Sequence, residues 1–483
     1  MSGLRIPILI IILVVSTVIG SSQLTRGHEW GDDFASYIMQ AKSIVNGDMQ
    51  EFVEHNSITI YQSSSLIGPA AYPWGYPLIL APVYSVKGVS PLALKLPGLL
   101  FFVGFLICFY LLMRNRLTRT ESLLIVSLFA FNPMFLGFLD QILSDVPFLF
   151  FSTLALLLMT KYEEKQSLFQ SIILGGVIFY AFFIRATGIV LFAGFLAYQM
   201  LCIYRKNKQS KIIMAYSAAV LLTFFFLWLI SSLIFPNGQS TYFDQLKGFT
   251  FPIFMGNISG YVALFRFFFG TFTAWIYIYY VLAVFFFVGV WTRRNTDLSF
   301  VIFFVIYFGL MLIWPEWQGQ RFMFPLIPFF IYFTFQGMKS VISKLPGNYH
   351  RSGQWISYGL WLSIIGVFLF NSSIDAYANL QNNRSINGPF DPYSMEVYNF
   401  IKEKTPPDNS VIIFFKPRAM RLMTDHDTLM STECDRMPLG DYIVLSRKVG
   451  ENQQIAPEEI DACNLPLDEV LKNRRFIVYK ILK

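Results

Sequence analysis

Charged residues are scarce in this sequence of 483 residues, and long apolar runs take their place. Charged side chains make up 14% of the chain and hydrophobic ones 55%, whereas soluble proteins carry about 25% charged residues. This composition excludes an ordinary soluble protein and predicts a polytopic membrane protein. The net charge of +7 does not indicate nucleic-acid binding, because the basic residues form short clusters between apolar runs, as in the loops of membrane proteins.

Cysteine and histidine are rare as well, with four residues of each type. The histidines are dispersed, and no cysteine spacing matches a metal site. Cys108 and Cys202 fall in apolar runs and are expected to be buried thiols. Cys434 and Cys463 lie in the polar C-terminal part, where they can pair if that part faces an oxidising compartment.

The apolar runs predict about eleven membrane spans, since about 20 apolar residues cross a bilayer. The predicted spans are residues 6–20, 92–113, 122–139, 146–159, 168–184, 188–204, 212–235, 271–291, 298–314, 322–336 and 356–370. The first run also has features of a signal peptide cleaved after Gly20, but the many following spans favour an uncleaved anchor. Basic residues recur in alternate loops, which predicts a cytoplasmic N-terminus and a C-terminal part on the opposite side.

Two segments on the predicted outer side are too long to be simple connectors: the first outer loop, residues 21–90, and the C-terminal segment. In the latter, the pattern predicts a helix at residues 394–404 and buried strands at residues 411–415, 442–445 and 476–479. We therefore expect an all-α transmembrane domain over residues 1–370, followed by a small extracytoplasmic α/β domain over residues 371–483.

The first outer loop begins with three carboxylates, Glu29, Asp32 and Asp33, followed by an amphipathic helix predicted to lie at the membrane interface. Its predicted apolar face consists of Phe34, Ile38, Ala41 and Val45, with Tyr37 and Ile44 beside it. One simple explanation is that Asp32 and Asp33 cap the helix. A helix start lowers the pKa of a carboxylate, so a catalytic base there would need desolvation or a metal to regain basicity. Adjacent helical residues diverge by about 100°, so only one of the two is expected to face a substrate.

Further charges stand at the outer ends of predicted spans. Asp145 either lies in a solvated turn or caps the next span. Arg185 is flanked by apolar sequence. Inserting an arginine at the centre of a span costs about 2.5–3.5 kcal/mol, so we expect its partner to be a buried acid of the protein or an anionic ligand. Arg321 either snorkels to the interface or contacts a phosphate. Together with Asp32 and Asp33, these residues suit a reaction in which a carboxylate accepts a proton from a hydroxyl while a cation holds a departing phosphate.

The order of these segments resembles the polytopic GT-C glycosyltransferases, in particular the group that includes the dolichyl-phosphate-mannose protein mannosyltransferases and the bacterial aminoarabinose transferases. The resemblance extends over most of the chain. It is carried by Gly31-Asp32-Asp33, residues 72–78, Asn132-Pro133, residues 143–147, residues 184–188 and residues 318–322.

The resemblance implies an inverting transfer of a hexosyl or pentosyl group from a polyprenyl-phosphate donor to a hydroxyl of a lipid, glycan or protein at the outer membrane face. Asp32 takes the position of the family's catalytic aspartate, and Asp33 stands where relatives often have glutamate, so either acid is a candidate base. Asp145 corresponds to a second acidic site. Arg321, with Arg185 as a second candidate, is expected to bind the donor phosphate. Tyr72 replaces a lysine of many relatives, which removes one phosphate contact.

The resemblance leaves a divalent metal open, because some members of the family need one. Two other functions stay open as well. Intramembrane charges also suit a transporter or flippase of a lipid-linked substrate, although no inverted repeat is visible. A non-catalytic envelope assembly protein is the third alternative. The short loops and the absence of a retention signal favour a bacterial plasma membrane over the endoplasmic reticulum.

Overall fold

The computed structural model describes residues 5–65, 67–164, 166–205, 210–238, 246–406, 410–447 and 453–482. Its helices are α1 (Arg5–Gln23), α2 (Asp33–Asn46), α3 (Met49–Gln62), α4 (Gly75–Lys87), α5 (Pro91–Met113), α6 (Arg119–Ala130), α7 (Pro133–Phe138), α8 (Asp145–Glu164), α9 (Leu168–Ile184), α10 (Ile189–Arg205), α11 (Ser210–Ile234), α12 (Phe251–Leu264), α13 (Thr273–Arg293), α14 (Leu298–Ile313), α15 (Ile327–Ile342), α16 (Asn348–Gln381), α17 (Pro392–Lys404) and α18 (Pro417–Thr424).

Within these ranges, seven helices are long and apolar enough to cross a membrane, and α9, α14 and most of α1 form shorter apolar helices. Their outward-facing apolar side chains, such as Leu222 and Phe287, are exposed, as expected of surfaces that face lipid. The predicted polytopic membrane protein is therefore confirmed, while the number of eleven spans stays a prediction.

The predicted span at residues 122–139 is interrupted. Asn132 and Pro133 divide it into α6 and α7, because proline has no amide hydrogen to continue the helical bonding. The Asn132 side chain accepts a hydrogen bond from the Met134 amide at 2.9 Å and donates one to the Phe268 carbonyl at 2.8 Å. This asparagine therefore caps α7 and ties the break to a distant segment.

A second difference concerns the segment after α11, where the sequence predicts no span between residues 235 and 271 but where the structure contains α12. Its apolar run is interrupted by polar residues, so the run does not stand out in the sequence. One of them, Asn257, donates hydrogen bonds to the carbonyls of Leu312 and Trp314 at 3.1 and 2.8 Å. The buried amide thereby satisfies backbone groups at the C-terminal end of α14.

The C-terminal segment contains a five-stranded sheet with strand order β2-β1-β3-β5-β4. The strands are β1 (Val411–Phe414), β2 (Asp427–Leu429), β3 (Tyr442–Ser446), β4 (Leu467–Lys472) and β5 (Phe476–Ile481). β1 pairs in parallel with β2 and β3, and β5 pairs antiparallel with β3 and β4. The predicted α/β domain and its three buried strands are confirmed. The sequence pattern missed the two edge strands, which are short or carry charges, as edge strands commonly do.

The cysteines fall into the two predicted groups, a pair in the C-terminal part and two thiols in apolar helices. Cys434 and Cys463 form a disulfide bond within the C-terminal segment. Cys108 is a buried thiol, and Cys202 is a half-buried one.

The sheet domain rests on the first outer loop. α18 packs against α2, and β2 packs against α3. Trp30, which precedes α2, lies among the rings of Phe414, Phe415 and Phe476, with ring centroids 5.0 to 6.2 Å apart. These contacts bring the turn between β1 and α18 to the acidic start of α2.

Candidate active site

A cavity of about 350 Å³ lies where several segments distant in sequence meet. They include the loop before α2, the single helical turn at Gln320–Met323, and the turn between β1 and α18. Asp32, Asp33, Arg321 and Lys416 all line the cavity. The structure thus brings the two predicted acids and one predicted arginine into a common pocket.

Asp33 is held by two partners. Arg321 donates a hydrogen bond from Nη2 to Asp33 Oδ2 at 2.7 Å, and the Tyr72 hydroxyl donates one to Oδ1 at 2.6 Å. Burial alone would raise the pKa of the Asp33 carboxyl, but the charge of Arg321 and these two hydrogen bonds outweigh it and hold that pKa below its usual value. Asp33 is therefore a firmly ionised carboxylate.

Asp32 has a different environment, although it is the adjacent residue. It occupies the N-cap position of α2, but its side chain makes no capping hydrogen bond to that helix, so the simple capping explanation is wrong for Asp32. Instead, Asp32 Oδ1 accepts a hydrogen bond from the Arg418 amide at 3.2 Å, and Oδ2 lies 3.7 Å from Lys416 Nζ. Burial raises the pKa of the Asp32 carboxyl to about 6, against the lowering effect of the Lys416 and Arg418 charges. Desolvation therefore offsets the effect of the helix start.

Asp145 and Arg185 form an ion pair with each other. The Asp145 side chain is 2% exposed, so the solvated-turn alternative is wrong, and the partner of Arg185 is a buried acid of the protein. Neither residue is among those that line the cavity. The Arg185 guanidinium stacks over the Phe322 ring at 3.9 Å from its centroid, and the Arg321 guanidinium lies 5.6 Å from the same ring. The ion pair of Asp145 and Arg185 therefore lies next to Arg321, with the Phe322 ring in contact with both arginines.

The loop that carries the acids is anchored by contacts of its own residues with α5 and the segment after α7. His28 stacks on Phe34, donates from Nδ1 to the Glu29 carbonyl at 2.7 Å, and accepts at Nε2 from the Ile142 amide at 3.0 Å. Burial lowers the pKa of His28 to about 3, so the ring is neutral. Lys95, fully buried, donates to Asp140 Oδ1 and to the Gly27 carbonyl. These contacts hold the start of the loop in place.

Sequence reasoning missed Lys416 and Arg418, and it described Tyr72 only as a lost phosphate contact. The structure shows that the Tyr72 hydroxyl instead orients Asp33. The available signal was a basic pair, Lys416 and Arg418, directly after a buried strand. A connection at the C-terminal end of a parallel strand is a common place for functional residues, but no local pattern indicates that it meets α2.

The carboxylates of the site do not form a metal-binding set. Across the described ranges, no group of three or more His, Cys, Asp or Glu side chains could hold a metal ion. Asp33 and Asp145 are each paired with an arginine, and Asp32 lies near Lys416. These cations already balance the charges that a divalent metal would require.

The fold defines an integral membrane protein of the GT-C fold. The structure aligns with that of apo ArnT from Cupriavidus metallidurans over 97% of both chains, with 14% sequence identity and a TM-score of 0.55. It also aligns with the Archaeoglobus fulgidus oligosaccharyltransferase over 92% of this chain and 69% of that chain, with 11% identity and a TM-score of 0.62. A third match, the arabinofuranosyltransferase AftD from Mycobacteria, covers 98% of this chain and 40% of that chain, with 12% identity and a TM-score of 0.57.

The sequence matches one family, described as dolichyl-phosphate-mannose-protein mannosyltransferase, over residues 71–230. That range contains Tyr72, Asp145 and Arg185 but ends before Arg321 and begins after Asp32. No curated protein matches the chain in sequence. The GT-C resemblance inferred from the sequence is confirmed for the fold.

Proposed function

We propose that the protein is an inverting glycosyltransferase that moves a sugar from a polyprenyl-phosphate donor to an acceptor hydroxyl. The observation that carries the proposal is the common cavity in which Asp32, Asp33 and Arg321 meet. Similarity to glycosyltransferases supports the reaction class. Support for the donor class comes from ArnT bound to undecaprenyl phosphate and from AglB of Archaeoglobus fulgidus in complex with a dolichol-phosphate.

Asp32 is the proposed base. A carboxylate with a pKa near 6 is mostly ionised at neutral pH and is more basic than an ordinary aspartate, which suits it to general base catalysis. The acceptor oxygen attacks the anomeric carbon and transfers its proton to Asp32. The bond from that carbon to the phosphate oxygen breaks, and its electron pair leaves with the polyprenyl phosphate. A single displacement of this kind inverts the anomeric configuration.

Arg321 is the proposed contact to the departing phosphate. Asp33 occupies one edge of its guanidinium through Nη2, and the Arg321 side chain is 31% exposed, so further N–H groups can face the cavity. Asp33 thereby orients the arginine, and Arg185, paired with Asp145, supports it from behind through Phe322. A phosphate leaving group needs no proton donor, so the electrostatic contribution of Arg321 is the main assistance.

We further propose that the cavity faces the extracytoplasmic side of a bacterial plasma membrane, with the N-terminus in the cytoplasm. The alternation of basic loops supports this orientation. The disulfide between Cys434 and Cys463 supports an oxidising compartment for residues 371–483, and residues 1–370 are the proposed transmembrane catalytic domain. A lipid, a glycan or a protein can each serve as the acceptor in this scheme.

The test is an assay of the full chain in lipid with radiolabelled polyprenyl-phosphate sugars and candidate acceptors. We expect the wild type to release polyprenyl phosphate and form a glycosylated product, and Asp32→Asn to reduce the rate by about 10²–10⁴-fold. Glu54→Gln is the matched control, because Glu54 is an exposed carboxylate on α3 in the same outer loop. Transport of the donor without release of polyprenyl phosphate, or full activity of Asp32→Asn, would contradict the proposal.

A further inference from the structure

One wall of the cavity belongs to the C-terminal sheet domain rather than to the membrane helices. Lys416 and Gln453 line the cavity, and the main-chain amide of Arg418 contacts Asp32. Lys416 and Arg418 lie in the turn and first residues that connect β1 to α18. The connection is placed by β1, whose last three side chains are buried, and by the packing of α18 on α2.

Arg418 links both candidate acids. Its side chain is fully buried. The amide of Arg418 donates to Asp32 Oδ1, while its Nη1 donates to the Tyr72 hydroxyl at 3.3 Å and its Nη2 donates to the Pro69 carbonyl. Since Tyr72 in turn donates to Asp33, one residue of the sheet domain helps to position Asp32 directly and Asp33 through Tyr72.

Lys416 approaches Asp32 from the cavity side. Its Nζ lies 3.7 Å from Asp32 Oδ2, and the same nitrogen donates a hydrogen bond to Gln453 Oε1. The Lys416 side chain is 18% exposed, so it lines the pocket without being free in solvent. Gln453 thereby holds the ammonium group beside the carboxylate.

We propose that Lys416 and Arg418 are positioning residues of the catalytic centre, and that the sheet domain is therefore a working part of the active site. This inference rests on the proposed glycosyl transfer with Asp32 as the base. Lys416 acts through Asp32 by favouring the ionised carboxylate, and Arg418 acts by fixing the orientation of the two acids.

The charged groups around Asp32 predict the direction in which its pKa changes when one of them is removed. Lys416 and Arg418 face it from the sheet domain, Asp33 follows it in α2, and Arg321 and Glu29 line the same cavity. Among these, Lys416 is the nearby cation whose removal leaves the contacts of Asp33 in place. An opposite charge within about 4–6 Å lowers the pKa of a carboxylate by one unit or more, so loss of Lys416 is expected to raise the pKa of Asp32.

The experiment compares the pH dependence of kcat/KM for wild type, Lys416→Met, Lys416→Arg and the control Lys402→Met in full-length protein. Lys402 is an exposed lysine on α17 of the same domain. We expect a wild-type midpoint near pH 6 and a midpoint about one unit higher in Lys416→Met. Below the midpoint, this shift makes Lys416→Met about tenfold slower, while both proteins reach a similar plateau at high pH.

Lys416→Arg retains the charge and is expected to restore the wild-type midpoint, which a purely structural role of the lysine would not explain. Lys402→Met is expected to match wild type. An unchanged midpoint in Lys416→Met, or a rise of KM alone, would overturn this inference, because Lys416 would then not act through Asp32. Absence of transfer by the wild type would instead refute the proposed function itself.

Discussion

Asp32 and Asp33 are adjacent in sequence, yet their environments move their pKa values in opposite directions. Asp33 is paired with Arg321 and Tyr72, whereas Asp32 is desolvated, accepts a hydrogen bond from the Arg418 amide and lies 3.7 Å from Lys416 Nζ. Two carboxylates whose pKa values are driven apart are suited to two roles. In the proposed mechanism, Asp32 accepts the proton and Asp33 orients the cation that meets the phosphate.

The raised pKa of Asp32 also affects stability. Because the folded-state pKa of about 6 exceeds the ordinary value of 3.8, the folded state binds the proton more tightly, and the stability from this group falls as pH rises from about 4 to 6. Above that range, the buried charge costs up to about 3 kcal/mol. Asp33 has the opposite effect on stability. Its lowered pKa adds stability, which is lost as the pH falls below 3.8, the ordinary pKa of an aspartate.

We therefore expect Asp32→Asn to stabilise the protein at pH 8 by about 1–3 kcal/mol, although it removes the base. At pH 4, where Asp32 is protonated in the wild type, the two proteins should have nearly equal stability. Thermal or denaturant unfolding in detergent at the two pH values measures the difference. A loss of stability at pH 8 would show that ionised Asp32 is compensated by its neighbours.

At the scale of single elements, α2 differs from the predicted interfacial helix. The helix itself is confirmed, and Phe34, Ile38 and Ala41 of its predicted apolar face are buried, but Val45 is exposed. The polar residues Ser36 and Gln40 are buried as well. α4 packs on one side of α2 and α18 on another, so other parts of the protein cover more of the helix than its apolar face. Amphipathic periodicity indicates an apolar face, but it cannot show that a distant domain covers the other side.

Gln40 connects α2 to the segment that carries Tyr72. Its Nε2 donates to the Tyr72 carbonyl at 2.9 Å, and its Oε1 accepts from the Tyr72 amide at 3.1 Å. Gln40→Leu leaves both backbone groups unpaired, so we expect a loss of about 1–3 kcal/mol of stability and slower transfer, because Tyr72 no longer orients Asp33. Unfolding and turnover measurements check both effects.

Gln50→Leu is the matched control for Gln40→Leu, since Gln50 is an exposed glutamine on α3 that contacts only Glu54 among its described hydrogen-bond partners. Wild-type stability and turnover are expected for this control. Wild-type turnover in Gln40→Leu would indicate that Tyr72 is positioned by its other contacts alone.

At the scale of the whole molecule, the sheet domain and the first outer loop form one continuous contact region. Ser64 donates its amide to the Met430 carbonyl, and the Met430 amide donates to Ser63 Oγ, both at 2.9 Å. Trp30 inserts its ring into the aromatic cluster of the domain. Stability of the sheet domain is therefore expected to affect the geometry of the cavity.

The disulfide between Cys434 and Cys463 closes a loop with a sequence separation of 29 residues. A loop of this size corresponds to about 3.6 kcal/mol of stabilisation. Cys434→Ser combined with Cys463→Ser should therefore lower the stability of the sheet domain by that order and reduce turnover on warming. Limited proteolysis and thermal inactivation of the two proteins measure this.

Cys202→Ser, which removes a thiol outside the disulfide, is the control and should behave as wild type. Equal inactivation of wild type and the double variant would contradict the link between the stability of the sheet domain and turnover.

Local patterns in the sequence were sufficient for the membrane class, the apolar helices, three strands of the C-terminal sheet and the acidic start of α2, because hydropathy and side-chain periodicity reflect the environment of each segment directly. Only the tertiary structure brought Arg321 to Asp33, across a sequence separation of 288 residues, and paired Asp145 with Arg185. It also placed Lys416 and Arg418 beside Asp32. The physical reason is that these contacts depend on packing between distant segments, and so does the desolvation that raises the pKa of Asp32. No local sequence pattern shows which distant segments pack together.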